Sequence, residues 1–188
     1  MDTDITALDE ALAANERDAR AIVDGLTEAE GTWRPAPESW SIAHCLDHLA
    51  VGGRVYLAAM EPSAAQARAA GRVRRGPARP GLVGGWFAWS LEPPVTRAFK
   101  LRAPRKSVPR PAPPLADAAS AFFAAHARAE RFLRDYADID LAGVRFPNPF
   151  VKGIRFSLAT GLHVLAAHER RHLWQAANVR RAIPRAAL

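Results

Sequence analysis

The residues best suited to chemistry lie in one short run, His168-Glu169-Arg170-Arg171-His172. Histidines four positions apart share one side of a helix, so two imidazoles can clamp a single divalent ion. Neutral imidazole is the commonest ligand for borderline metals such as zinc. In a helix, positions 158, 161, 165, 168, 172, 175 and 179 form a stripe spaced by threes and fours. The stripe is apolar or small apart from His168, His172 and Gln175, which puts both imidazoles on the face that should be buried. A buried imidazole without a partner is costly, and a metal would satisfy both rings. Glu169 sits about 100° round the helix from His168. It is the candidate catalytic residue, a proton acceptor or a group that orients a ligand's N–H, with a surface salt bridge to Arg170 or Arg171 as the plainer alternative. Gln175 continues the stripe and counts as a pocket residue.

His-Glu-x-x-His is also the zinc-peptidase pattern, in which both histidines bind zinc and the glutamate activates water. Such sites commonly draw a third ligand from the C-terminal side, yet the 16 residues after His172 contain no His, Asp, Glu or Cys. The third ligand is therefore expected upstream. His48 is best placed, because the row around it, Ser41, Cys45, Gly52, Val55 and Ala59, is small and leaves room for an inward-pointing ring. Cys45, one turn away, is a second candidate ligand, although a lone buried cysteine usually behaves as a small hydrophobe. His126 is read as a hydrogen-bonded core or pocket residue, since its helix offers no second donor one turn away.

These side chains need helices to carry them. Ile5, Leu8, Leu12, Asn15, Ala19, Ile22 and Leu26 predict a first helix over 4–29, capped by Asp2 or Thr3 and ended by Gly31, Pro35 and Pro37. Ile42, Leu46, Leu49, Gly53, Tyr56 and Met60 predict a second from 40 to 60, started by Ser39 or Ser41 and stopped before Pro62. A third is expected over 115–136 on Leu115, Ala119, Phe122, His126, Ala129, Leu133 and Tyr136, and a fourth over 157–182. Between the second and third, nine of the 15 prolines fall between Pro77 and Pro114, predicting a long irregular crossover. One or two helical turns at 82–91 would dock Trp86, Phe87 and Trp89 on the other helices. The loop 138–152, with Phe146-Pro-Asn-Pro-Phe150, is expected to cap one end near the site. The fold class is all-α: a single-domain four-helix bundle with a proline- and arginine-rich crossover between helices 2 and 3.

The 188 residues carry a net charge of +7, unevenly placed. Residues 62–116 hold 11 bases and one acid, a balance of +10, against 15 bases and 18 acids elsewhere, a balance of −3. Such a segment suits phosphates or an anionic substrate, or is simply a solvated loop. With one cysteine, no internal disulfide forms. No basic-then-apolar leader is seen at the N-terminus, and the charge-free run 80–91 is too short to span a bilayer. These features favour a soluble, cytoplasmic protein.

Two segments, Trp40-Ser-Ile-Ala-His-Cys-Leu-Asp-His48-Leu and His168-Glu-Arg-Arg-His172-Leu-Trp-Gln, resemble the paired signatures of the DinB/YfiT-like superfamily, specifically its DinB-like branch. The resemblance implies a four-helix bundle in which one histidine of the second helix and two of the last hold a divalent metal, often nickel or zinc, with positions open to water or substrate. It places the ligands at His48, His168 and His172, and His44 beside them rather than among them. It also implies a low-molecular-weight thiol co-substrate, because relatives include thiol-dependent S-transferases and a maleylpyruvate isomerase using mycothiol or bacillithiol. The expected function is a metal-dependent thiol transferase acting on a small-molecule substrate, with self-association into a homodimer left open. The alternatives are a metallohydrolase driven by metal-activated water and a non-catalytic bundle whose basic segment binds nucleic acid or a protein partner.

Overall fold

A computed structural model describes residues 3–94 and 103–184. The first apolar stripe folds as α1 (Thr3–Val23), with Ile5, Leu8, Leu12, Asn15, Ala19 and Ile22 buried. It stops six residues short of the expected end. Gly25 takes a positive φ of 68°, which turns the chain out of the helix. A separate short helix, α2 (Glu28–Thr32), follows, begun by a capping box in which Thr27 and Glu30 bond reciprocally. Gly31, expected as a terminator, is buried inside α2. Thr3 is already helical, and Asp2, the other expected cap, lies outside the described residues.

Ser41 caps α3 (Ile42–Ala69): its hydroxyl accepts the His44 N–H at 3.2 Å. This helix runs nine residues past its predicted end, and Pro62 lies within it. A proline costs a helix one hydrogen bond. Here Ala64 and Ala67 beyond it are fully or nearly fully buried, so the packing of the extra turns sustains the helix. The crossover is thus shorter than predicted and contains α4 (Leu82–Ser90) and a 3-10 turn at Arg105–Ser107. Its stretch 95–102 lies outside the described residues. On α4, Gly84 and Ala88 are buried and Phe87 packs on Phe156, but Trp86 and Trp89 are 61% and 70% exposed, so only one of the three aromatics docks.

The third and fourth stripes become α5 (Leu115–Tyr136) and α6 (Leu158–Ala182), the latter capped by Ser157. Between them lies an antiparallel hairpin that periodicity does not reveal, β1 (Arg145–Pro147) with β2 (Arg155–Ser157), Phe146 opposite Phe156. Each strand is only three residues long, and β1 ends in proline. The protein is mostly helical. α3 packs on α5 and α6, and α1 packs on α6 and α5. Gly161 lets α6 approach α3 closely: a Cβ there would lie 2.8 Å from Met60 Sδ and 2.9 Å from Phe146 Cε1.

The basic crossover is bound to the rest of the chain by ion pairs. Arg72 meets Asp140, Arg79 meets Asp4 and Arg110 meets Asp47, while Arg68, in the last turn of α3, meets Asp138. Part of the uneven charge seen in the sequence, four of the 11 bases, is therefore answered locally. Among the described residues no helix is long and apolar enough to cross a membrane.

Candidate metal centre

Helices α3 and α6 bring together the imidazoles of His48, His168 and His172, whose nearest ring nitrogens all lie within 4.8 Å of one another. His48 Nε2 is 3.1 Å from His168 Nε2. Two nitrogens sharing a tetrahedral ion at about 2.05 Å would sit ~3.3 Å apart, so this pair already has the spacing of adjacent ligands.

Hydrogen bonds fix which nitrogen of two of these rings is free. The Ser107 carbonyl can only accept, so His48 Nδ1–H donates to it at 2.5 Å and Nε2 keeps its lone pair. His172 Nδ1–H likewise donates to Gln175 Oε1 at 3.1 Å, leaving its Nε2 free. Metal-bound histidines are commonly oriented in this way by a partner on the far nitrogen. Trp40 packs beside both rings at a tilt, with centroids 4.8 Å from His48 and 5.6 Å from His172.

The electrostatics favour neutral rings. Burial pushes His48 below the ordinary imidazole range, against the opposing pull of the Ser107 carbonyl and the Asp47 charge. Burial, then the neighbouring His48 and Arg171 charges, push His168 down to about 3. His172 is held well below its usual value by burial first and then by His168 and His48. At neutral pH the cluster offers lone pairs without protons to displace, which is the condition for holding a divalent cation.

The other residues singled out in the sequence lie in distinct places. Cys45 is fully buried in the core beside Ile42 and Leu46, its thiol pushed up to about 12 by burial, and it does not join the histidine group. His44 is engaged on both nitrogens: Nδ1 lies 2.6 Å from the Ser41 hydroxyl, and Nε2–H donates to the Pro111 carbonyl at 3.0 Å. It pins the crossover to the start of α3. Glu169 is 7% exposed and turns to α1 and α5. Asn15 Nδ2 donates to its Oε2 at 3.0 Å, and His126 Nδ1 lies 3.1 and 3.0 Å from its two oxygens. His126 belongs to this second cluster and not to the three-histidine group.

Sequence reasoning missed the parts supplied by the crossover. Ser107, which holds His48 through a backbone carbonyl, has no side-chain signal. Its position is fixed nearby by Asp47, which accepts the Arg110 backbone N–H at 2.8 Å and Nε at 2.9 Å. An acid directly before His48 was the only available hint. A cavity of about 920 Å³ opens onto the histidines. Its walls include Trp40, Tyr56, Phe87, Phe150 and Trp174, while Arg171, Asn148 and Gln175 supply polar groups.

A mostly helical chain with a histidine trio shared by two helices, each oriented ring facing a roomy cleft, has the makings of a metal-binding helical protein. The chain matches the DinB superfamily model over residues 11–176 and belongs to that family. No curated protein and no solved structure is detectably similar to it.

Proposed function

We propose that this protein is a divalent-metal-dependent transferase that joins a low-molecular-weight thiol to an apolar electrophile, on the four-helix bundle of its family. His48, His168 and His172 would hold the ion. Three neutral imidazoles suit zinc or nickel. When bound, such an ion supplies Lewis acidity that lowers the pKa of a thiol in an open position. The chain's own residues do the rest. The Ser107 carbonyl and Gln175 hold the rings in register, and Trp40, Phe87 and Phe150 shelter an apolar partner from water. Arg171 offers a cation to a carboxylate on either reactant.

The observation that carries this reading is the pairing of a preorganised three-nitrogen site with a large, mainly apolar cleft, more room than a bound water needs. Metal-assisted hydrolysis is less well supported, because the acid within the motif, Glu169, is held by Asn15 and His126, and Asp47 beside His48 is held by Arg110. Nucleic-acid binding is likewise disfavoured by the aspartate partners of Arg68 and of three crossover arginines.

The test is elemental analysis of tag-free protein beside His48→Ala and His172→Ala, followed by conjugation of a chloronitroarene with a panel of small thiols. In that reaction a C–S bond forms, chloride leaves and the thiol proton goes to buffer. The expected result is one ion per chain more in wild type than in either variant, and thiol-dependent chloride release that follows that ion. Metal content no higher than in the variants, or conjugation unchanged in His172→Ala, would overturn the proposal.

A further inference from the structure

The second cluster of titratable groups lies between α1 and α5, away from the cleft. His126 is 1% exposed, and its Nδ1 faces both oxygens of Glu169. Carboxylate oxygens accept, so Nδ1 carries the hydrogen. In the neutral ring the other nitrogen, Nε2, then bears a lone pair, and this buried atom has no hydrogen-bond partner among the described residues. It faces Glu130 Oε1 at 3.6 Å. Glu130 is on the same helix, one turn on, and Glu16 comes from α1. The ligand atoms of Glu16, His126 and Glu130 all lie within 4.8 Å of one another. The reading that the helix of His126 offers no second donor one turn away is therefore corrected, since Glu130 is that donor.

Charge and donor counting point one way. Two carboxylates and, in the neutral ring, an imidazole lone pair converge, and none of the three then brings a hydrogen to share. Arg20 takes one Glu16 oxygen, Oε1, at 2.6 Å, leaving Oε2 for another partner. Arg134 approaches the other Glu130 oxygen, Oε2, only at 3.9 Å. Asn15 Oδ1, on the neighbouring residue of α1, is also buried without a hydrogen-bond partner among the described residues. The far side of the ring has the carboxylate-to-imidazole arrangement that orients metal-bound histidines. Glu130 and Glu16 are partly exposed, at 21% and 34% of their side chains, so water can complete a coordination sphere.

We propose that Glu16, His126 and Glu130 form a second divalent-cation site, one nitrogen and two carboxylates, independent of the three-histidine centre. Its harder donor set favours manganese or iron over the ions preferred by three imidazoles. The site ties α1 to α5 and, through Glu169, leans on the helix that carries His168 and His172.

Manganese(II) serves as the probe, titrated into metal-stripped full-length protein and followed by the loss of the free-ion electron paramagnetic resonance signal. Wild type should bind one manganese more per chain than the Glu16→Gln/Glu130→Gln double variant, and His172→Ala should keep that ion. Affinity in Glu130→Gln should fall by more than about 100-fold, beyond the loss expected when only an outer hydrogen-bonding partner is removed. In His172→Ala, the His126 ring resonances should broaden at substoichiometric manganese, a readout that needs no second variant to fold. Equal stoichiometry in wild type and the double variant would overturn the proposal, as would His126 resonances that manganese leaves sharp; the cluster would then hold a proton in place of a metal.

Discussion

The link between Asp47 and Arg110 makes a sharp test of how the crossover builds the centre. Asp47 has a side chain only 4% exposed and accepts two Arg110 N–H groups, at 2.8 and 2.9 Å. Three residues earlier, Ser107 aims His48 through its carbonyl. In Asp47→Asn the new amide presents hydrogens where Arg110 already donates, so at least one bond is lost and a donor faces a donor. Charge-assisted hydrogen bonds contribute roughly 1.5–3 kcal/mol. The Arg110 side chain is 48% exposed, and solvent screening lowers the net cost to about 1–2 kcal/mol. For a chain of this size that is a fall in Tm of roughly 2–8 °C. Loosening the Ser107 carbonyl should also weaken metal binding by about 10- to 100-fold. The assays are thermal melting of the metal-free protein and metal competition against a chromophoric chelator. Asp117→Asn is the control, because Asp117 is exposed and only 3.7 Å from Arg110. A cooperatively folded Asp47→Asn protein with metal affinity within about twofold of wild type would refute the idea that the crossover orients His48.

Three further outcomes follow from the same geometry. The metal-free protein should lose stability as pH falls below about 6.5, since the unfolded histidines take up protons while His48, His168 and His172 resist them. For His168, with its pKa near 3, the loss by pH 5 is about 2 kcal/mol. His126 works in the opposite sense: burial pulls it down, but the Glu169 bond and the Glu169, Glu130 and Glu16 charges together raise it. Urea midpoints at pH 7.5 and 5 measure the net change, and a higher midpoint at pH 5 would contradict it. Gly161→Ala should cost roughly 1–3 kcal/mol, because the new methyl would press on Met60 and the ring of Phe146; an unchanged urea midpoint would show that α6 can shift away. Glu169→Gln should leave the ion held by His48, His168 and His172 in place and lower stability by about 1–3 kcal/mol, as an amide replaces the acceptor facing His126; loss of zinc or nickel from that centre in a folded variant would place Glu169 in it after all.

What the sequence made legible follows from how each residue is held. The α5 stripe was readable to the residue, because Leu115, Phe122, Leu133 and their neighbours repeat with helical period and Pro114 precedes the start. The same logic gave α6 and turned His48, His168 and His172 inward, His48 to a buried position and the other two to partly buried ones. It failed at α3, where a rule about one proline competes with the burial of Ala64 and Ala67, and burial cannot be seen in a single alanine. It failed at the hairpin because three-residue strands are too short to show alternation. The Ser107 carbonyl was beyond reach for a different reason: backbone groups have no letter, and the proline-rich crossover carries no period to locate them.

The His-Glu-x-x-His string shows why spacing alone misleads. In a zinc peptidase all three residues serve one ion. Here α6 lies against α3 along one side and α1 along another. His168 and His172 turn to His48 on α3, while Glu169, about 100° round the helix, turns to Asn15 and His126. One string of letters therefore belongs to two clusters with different donors, one of neutral nitrogens and the other rich in carboxylates. Glu169 follows His168 directly on α6, so the two clusters are separate in chemistry but both draw on the same helix.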